Sequence, residues 1–239
     1  MRFVATFKLC SPVIVDPIAP FDSIVAFLAC TKRERELGVK PGGLPIETVE
    51  EIIQNLPIQK FPGGDFYMAS TVIYPDGPVR EKEITFPRVT TYNKFALNLL
   101  EGDLKTVMDN AGIGSGSGIK KAHMIAYTAR TVDQVQYVVE VTGDEQAREL
   151  NGLLQGLIYI GKKSSLGFGE VAGAWNWNME NDVEENPRIL LSPSDAPIFR
   201  PAPTVGFDYK ALEEPFFYNR ILPPYWRGTG GVLCGMATM

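Results

Sequence analysis

The most constraining feature of this sequence is a glycine-rich segment, Gly161–Gly169, that directly follows apolar residues with helical spacing. These residues recur at i, i+3, i+4, i+7 and i+8, as on one buried helix face. They are Leu150, Leu153, Leu154, Leu157 and Ile158. Residues 170–177 then alternate as in a strand. In Walker loops and dinucleotide fingerprints the glycines follow a strand and precede a helix. The reverse order here excludes both motifs.

The chemistry of the glycine-rich segment suits phosphate groups. Its lysines supply positive charge, its serines supply hydroxyl contacts without base identity, and its glycines let the backbone approach a ligand closely. An aromatic ring in the segment offers a surface for base stacking. The candidate contact residues are Lys162, Lys163, Ser164, Ser165, Gly167, Phe168 and Gly169. The plain alternative is a tight helix-to-strand connection whose lysines are solvated.

Periodicities elsewhere predict the remaining elements. They are a strand over 2–9, a helix capped by Asp22 or Ser23, a short helix over 47–56, a strand over 66–74, and a β-hairpin of 123–130 with 135–142. In the first helix we expect Ile24, Val25, Phe27 and Leu28 to face the core. The order is βαββαβ, which predicts an α+β, ferredoxin-like (RRM-like) domain over residues 1–178.

Two regions fall outside this pattern. From about 80 to 121 the periodicity fails, and the stretch ends in four glycines between 112 and 118, followed by Lys120 and Lys121. Such a long irregular stretch in a compact chain is usually functional, and we expect a thumb-like insertion. Residues 179–239 are rich in proline and predict an extension that packs on the core or on partners.

Composition narrows the class of protein. With 239 residues and 45% apolar side chains, the chain suits one large or two small globular domains. It has no continuous apolar stretch long enough for a membrane span, and its start has a strand pattern rather than a signal-peptide pattern. The scattered Cys10, Cys30 and Cys234 indicate reduced thiols in the cytoplasm. A single histidine, His123, argues against a metal site, and we expect no cofactor.

Charge is distributed unevenly along the chain. The net charge of −5 opposes nucleic-acid binding, which depends largely on Lys and Arg. However, residues 1–130 hold 15 basic and 14 acidic side chains, whereas residues 131–239 hold 8 and 14. The acidity therefore belongs to the C-terminal part, and a local basic site remains compatible with the composition.

The helix followed by IGKKSSLGFGEV resembles the glycine-rich loop of the repeat-associated RNA-binding proteins of CRISPR systems, the RAMP superfamily. In that superfamily the loop lies between the last helix and last strand of a ferredoxin-like fold. The opening FKLCSPVIVDPIAPFDSIVAFLAC, the segment FYMASTVIYP and the closing PPYW resemble the Cas-five-like subunit of type IV effector complexes. The resemblance extends over the whole chain, and its specific parts are the loop and the opening.

This resemblance implies a non-catalytic subunit that caps a ribonucleoprotein by gripping the 5′ handle of the guide RNA (crRNA). It also implies contacts with the backbone filament subunit and the large subunit, and indirect contact with target nucleic acid. The positions that match are the loop Lys162–Gly169 and the insertion over 80–121. Lys120, Lys121 and His123 extend the candidate RNA-binding set, and Tyr92 joins Phe168 as a candidate stacking residue.

Two other functions remain open at this stage. Some relatives of this subunit cleave precursor RNA, and His123 with Lys121 and a tyrosine (Tyr67, Tyr74 or Tyr92) has the chemistry of a metal-independent endoribonuclease. Alternatively, the chain is a protein-interaction module without RNA. Nucleic acid that co-purifies with the chain would separate the RNA-dependent functions from this last one.

Overall fold

The chain divides into two structural units, Met1–Arg80 with Arg130–Met239 and Glu81–Ala129. The computed structural model describes residues 1–16, 20–75, 77, 80–88, 123–172, 199–203, 210–211, 217–219 and 232–238. Its elements are β1 (Arg2–Lys8), α1 (Asp22–Leu37), α2 (Ile46–Gln54), β2 (Arg80–Arg88), β3 (His123–Thr131), β4 (Gln134–Glu140), α3 (Asp144–Leu154), β5 (Phe199–Pro203), β6 (Lys210–Ala211), β7 (Phe217–Asn219) and β8 (Val232–Thr238). Helices mixed with small antiparallel sheets make this an α+β protein, as the sequence predicts.

The main sheet of the first unit is built on β1 and β4. The two strands are antiparallel, in register from Arg2 opposite Glu140 to Lys8 opposite Gln134. Burial alternates along β1, as its sequence pattern predicts. Isolated bridges add residues 69–73 to the other edge of β4 and place Val171 opposite Leu9, at the end of β1. The order across this region is therefore 69–73, β4, β1, 170–172.

Two predictions about this sheet need correction. The segment predicted as a strand over 66–74 meets β4 only in isolated bridges, because the Ser70 hydroxyl, rather than a backbone carbonyl, accepts the amide of Val138 at 2.8 Å. The predicted hairpin is also wrong within the described residues, where β3 pairs with β2. Since β1 and residues 69–73 occupy the two edges of β4, neither edge is left for β3.

The first helix begins where the sequence predicts, but neither Asp22 nor Ser23 caps it. Phe21 occupies the N-cap position without a side-chain cap, and the Ser23 hydroxyl donates to the carbonyl of Pro20 at 2.7 Å. Asp22 is fully buried and turns inward. The helix ends at Gly38, whose φ of 65° is the left-handed conformation that glycine adopts without steric cost.

The third helix is shifted relative to the prediction over 150–158. It begins at Asp144 and ends at Leu154, after which the amides of Gly156 and Leu157 bond three residues back. Residues 158–160 then pair antiparallel with 169–171: Ile160 donates to Gly169 at 2.8 Å and Val171 to Ile158 at 2.9 Å. As a result Ile158 lies outside the helix and is 61% exposed.

The core of the first unit brings β1 and β4 against the helices. Its centre is a cluster of three buried rings: Phe21 stacks on Tyr137 at 4.8 Å, and Phe7 lies 5.9 Å from Phe21 and 6.1 Å from Tyr137. Leu150 and Leu154 of α3 are buried in the same cluster, as the leucine periodicity predicts. The core therefore fixes the start of α1 beside β4.

C-terminal strands also belong to the first unit. β8 pairs with β5 in one register and with β6 and β7 in others. Arg200 of β5 is fully buried, and its guanidinium contacts the Asp22 carboxylate at 3.4 Å and donates to the backbone carbonyl of Tyr67. It also lies over the ring of Phe66 at 5.1 Å. One buried cation thus attaches β5 to the start of α1 and to the segment before residues 69–73.

In the second unit β2 and β3 supply a two-stranded sheet. Phe86 meets Tyr127 edge-on, with ring centroids 5.7 Å apart. The predicted insertion over 80–121 begins with β2, and its residues 89–121 lie outside the described residues.

Candidate functional site

The glycine-rich loop lies at the tip of the paired residues 158–160 and 169–171. A Cβ atom at Gly161 would overlap the carbonyl of Ile14, and one at Gly169 would overlap the carbonyl of Ile160. Both glycines also have left-handed φ values, 88° and 72°. Glycine is required at the two ends of the loop because the backbone there approaches other backbone too closely for a side chain.

Hydrogen bonds anchor the loop to residues 10–14, near the end of β1. The amide of Lys162 donates to Ile14 at 2.7 Å, and that of Gly169 donates to Pro12 at 2.8 Å. The amide of Glu170 donates to the hydroxyl of Ser11 at 2.8 Å. The two specific parts of the sequence resemblance, the opening segment and the glycine-rich loop, are therefore in direct contact.

Between these anchors the loop presents cationic and polar groups to solvent. Ser164–Leu166 form one turn of 3-10 helix with exposed side chains, and the amides of Ser164 and Ser165 have no hydrogen-bond acceptor among the described residues. The Lys162 side chain is about half exposed and lies 3.4 Å from the Asp16 carboxylate. Exposed amides with neighbouring cations form an arrangement that suits anions.

Lys163 carries a conformational cost. Its φ is 65°, and it is the one non-glycine residue with positive φ in the described part of the chain. For a residue with a Cβ, the left-handed region costs about 1–2 kcal/mol. Such outliers cluster at functional sites, where the surrounding structure holds them.

The predicted contact residues fall into two groups. Those from Lys162 to Gly169 lie together in the loop, with Phe168 half-buried and Gly169 buried. Lys120, Lys121 and Tyr92 lie outside the described residues. His123 begins β3, and the structure describes its backbone alone. The alternative catalytic pair His123 and Lys121 stays a prediction.

Tyr67, one of the tyrosines considered for acid–base chemistry, has a different environment. Its hydroxyl is buried, donates to the carbonyl of Ile53 at 2.6 Å and accepts from the amide of Leu56 at 3.1 Å. Burial raises the pKa of Tyr67 to about 12; the Leu56 amide opposes this increase and the charge of Asp22 adds to it. The hydroxyl fastens the end of α2 and is not accessible to a substrate.

An apolar groove lies beside the loop, and the sequence pattern did not indicate it. Its volume is about 490 Å³, and it runs between α1 and residues 156–164. Its walls include Ile24, Phe27, Leu28, Leu157 and Ile158, its rim includes Asp16, Lys162 and Ser164, and Tyr137 also lines it. Phe27, predicted to face the core, is 59% exposed instead.

The described residues contain no evident metal site, disulfide or membrane-spanning helix. No group of three or more His, Cys, Asp and Glu side chains there is placed to hold a metal ion. None of the three cysteines forms a disulfide bond in the described part of the chain; Cys10 is exposed, Cys30 half-buried and Cys234 buried. No helix in the described ranges has the length and apolar character needed to cross a membrane.

The fold and loop define a mixed α+β protein with an anchored, lysine-bearing glycine-rich loop. The model of one protein family, described as CRISPR type IV associated protein Csf3, matches residues 3–234. The chain therefore belongs to the Csf3 family of type IV CRISPR-associated proteins, in agreement with the resemblance drawn from its sequence. A search of curated proteins gave no match.

Proposed function

We propose that this chain is a non-catalytic RNA-binding subunit of a type IV CRISPR effector complex and that the glycine-rich loop holds the guide RNA. The observation that carries the proposal is the loop itself, where strained Lys163 and half-exposed Lys162 stand beside exposed serines on a rigidly anchored backbone. Amides, hydroxyls and cations of this kind bind phosphates without reading bases.

We also propose a ferredoxin-like RAMP core over 1–178, with a thumb over about 80–121 and an extension over 179–239. The order 69–73, β4, β1, 170–172 supports this core, since it is the order that a βαββαβ unit gives. The burial of Arg200 against Asp22 supports an extension that packs on the core.

Within the complex, the proposed role is to cap one end by holding the 5′ handle of the crRNA in the cytoplasm. The same role includes contacts with the backbone filament and large subunits and indirect contact with target nucleic acid. The net charge of −5 is consistent with a subunit that holds RNA through a small local site and its neighbours rather than through a broad basic surface.

The test compares two variants that each lose two positive charges. Lys162→Ala with Lys163→Ala removes the loop cations, and Lys32→Ala with Lys40→Ala removes exposed cations elsewhere. We expect the loop variant to bind single-stranded RNA more weakly and to reduce the slope of log affinity against log salt by about 1.4, because each lost phosphate contact on single strands accounts for about 0.7.

The control variant should keep the wild-type slope. Fluorescence anisotropy over a salt series measures both, and circular dichroism checks that the variants are folded. Equal losses in the two variants would mean that only net charge matters and would reject the loop as the RNA site. If wild-type protein, alone or in the complex, holds no RNA, the proposed function itself is wrong.

A further inference from the structure

We propose that the apolar groove between α1 and residues 156–164 binds one unstacked nucleobase of the RNA whose phosphates lie on the glycine-rich loop. The inference rests on the proposed function and adds a base-binding site to it. It assigns roles to Phe27 and Tyr137, which the phosphate contacts do not use.

The groove has the size and the lining of a small-ligand site. Its volume of about 490 Å³ is within the usual range for such pockets, roughly 300–1,000 Å³. Its walls are apolar, and the Phe27 ring is 59% exposed at the surface of α1. Exposed rings next to a cationic loop are the means by which proteins hold splayed bases of single-stranded RNA.

Tyr137, which lines this apolar site, carries a buried polar group. Its side chain lines the groove and is 1% exposed, and its hydroxyl has no hydrogen-bond partner among the described residues. A buried polar group without a partner is costly, and a ligand that bonds to it recovers that cost. Burial, with a smaller contribution from Tyr74, raises the pKa of Tyr137 well above its ordinary value, so the hydroxyl stays a neutral donor.

The groove and the loop share residues, so a base-binding site in the groove would lie next to the phosphate-binding residues of the loop. Gly161, Lys162 and Ser164 belong to the loop and also line the groove. An RNA phosphate on Lys162 or Ser164 would therefore have its own nucleoside within reach of the groove. The Asp16 carboxylate on the rim adds an acceptor for base amino groups and disfavours a second phosphate inside.

The test uses short synthetic single-stranded RNAs and matched oligomers in which every base is replaced by an abasic ribose, so the phosphates are unchanged. We expect the wild-type full chain to bind the base-bearing RNA more tightly. Tyr137→Phe removes the hydroxyl alone and should weaken that binding about two- to tenfold, the value of one hydrogen bond, while leaving abasic binding unchanged. Without RNA, its unfolding midpoint should be equal to or higher than that of the wild type.

Phe27→Ala should reduce the preference for base-bearing RNA at least fivefold, as loss of a stacking ring does. Ile46→Ala is its control, because Ile46 is 56% exposed on α2, outside the groove. If wild-type protein binds base-bearing and abasic RNA equally, the groove proposal is overturned while RNA binding stands. A lower midpoint for Tyr137→Phe without RNA would mean that the fold uses the hydroxyl, which also overturns it. If wild-type protein binds neither RNA, the proposed function fails together with the groove.

Discussion

Replacing Arg200 with methionine should cost more stability than any charge change on the surface of this protein. Arg200 and Asp22 both have 0% exposure, and the guanidinium approaches the carboxylate at 3.4 Å. Methionine fills the space of the arginine stem but leaves the Asp22 carboxylate buried without its cation. Removing one partner of a buried ion pair costs about 3–5 kcal/mol.

The magnitude follows from what the guanidinium contacts. Besides Asp22 it donates to the backbone carbonyl of Tyr67 and, through Nε, to the carbonyl of Pro201 at 3.1 Å. In a chain of this length each kcal/mol shifts the thermal midpoint by roughly 2–4 °C, so Arg200→Met should lower the midpoint by roughly 6–20 °C. Limited proteolysis should then cut the C-terminal strands first, because they lose their attachment to α1.

The control is a matched ion pair on the surface. Arg33 contacts Glu36 at 3.2 Å, and both side chains are about half exposed. Arg33→Met should change the free energy of unfolding by less than about 1 kcal/mol, since exposed pairs contribute little. Equal effects of the two methionine variants in thermal and urea unfolding would refute the reasoning.

A double variant separates the two causes of the loss. Asp22→Leu combined with Arg200→Met removes both charges, and a buried pair replaced by apolar groups is often neutral or stabilising. We expect this variant to regain most of the stability lost in Arg200→Met. If it is only as stable as the single variant, the hydrogen bonds of Arg200 to backbone carbonyls, rather than the uncompensated Asp22 charge, account for the loss.

Two further predictions concern single residues. Lys163→Gly should raise the free energy of unfolding by up to about 1 kcal/mol in urea titration, because glycine adopts the φ of 65° without the steric cost that lysine carries. The same variant should bind RNA more weakly. A free energy of unfolding below that of the wild type would contradict backbone strain at this position. For Tyr67, whose folded pKa of about 12 exceeds the ordinary value near 10, the neutral hydroxyl stabilises the fold fully below pH 10. The stability advantage of wild type over Tyr67→Phe should therefore shrink by roughly 1.4 kcal/mol per pH unit between about pH 10 and 12, and a constant difference would refute this assignment.

Local patterns predicted most elements of the first unit but not how the elements pair. The alternation of β1 and the leucines of α3 are local signals, and both are buried as expected. The partner of β4 depends on which segment reaches its edge, and residues 69–73 do so through backbone hydrogen bonds at Ser70 and Ile73 together with the hydroxyl of Ser70. The choice of edge partner has no periodic signature, so the hairpin prediction was wrong: β3 pairs with β2.

The candidate site was predictable in part for a similar reason. Glycine and lysine spacing indicated the loop, whereas the groove depends on the end of α3 at Leu154 and on which face of α1 is outward. The first turns of α1 carry apolar residues on nearly every side, so periodicity gave no reason to place Phe27 in solvent. Arg200 was not predicted because its partner, Asp22, lies far away in sequence and looked like a helix cap.

Strain and charge coincide at Lys163, and this coincidence supports the proposed binding role of the loop over that of a simple connection. A helix-to-strand connection that only had to turn would be more stable with glycine at this position, as it has at Gly161, Gly167 and Gly169, all with positive φ. Lysine keeps the strain and adds a cation next to Lys162 on a backbone fixed by Ile14 and Pro12. Under the proposed function, the loss in stability is small and local, and we expect the compensating gain only when an anion such as an RNA phosphate is bound.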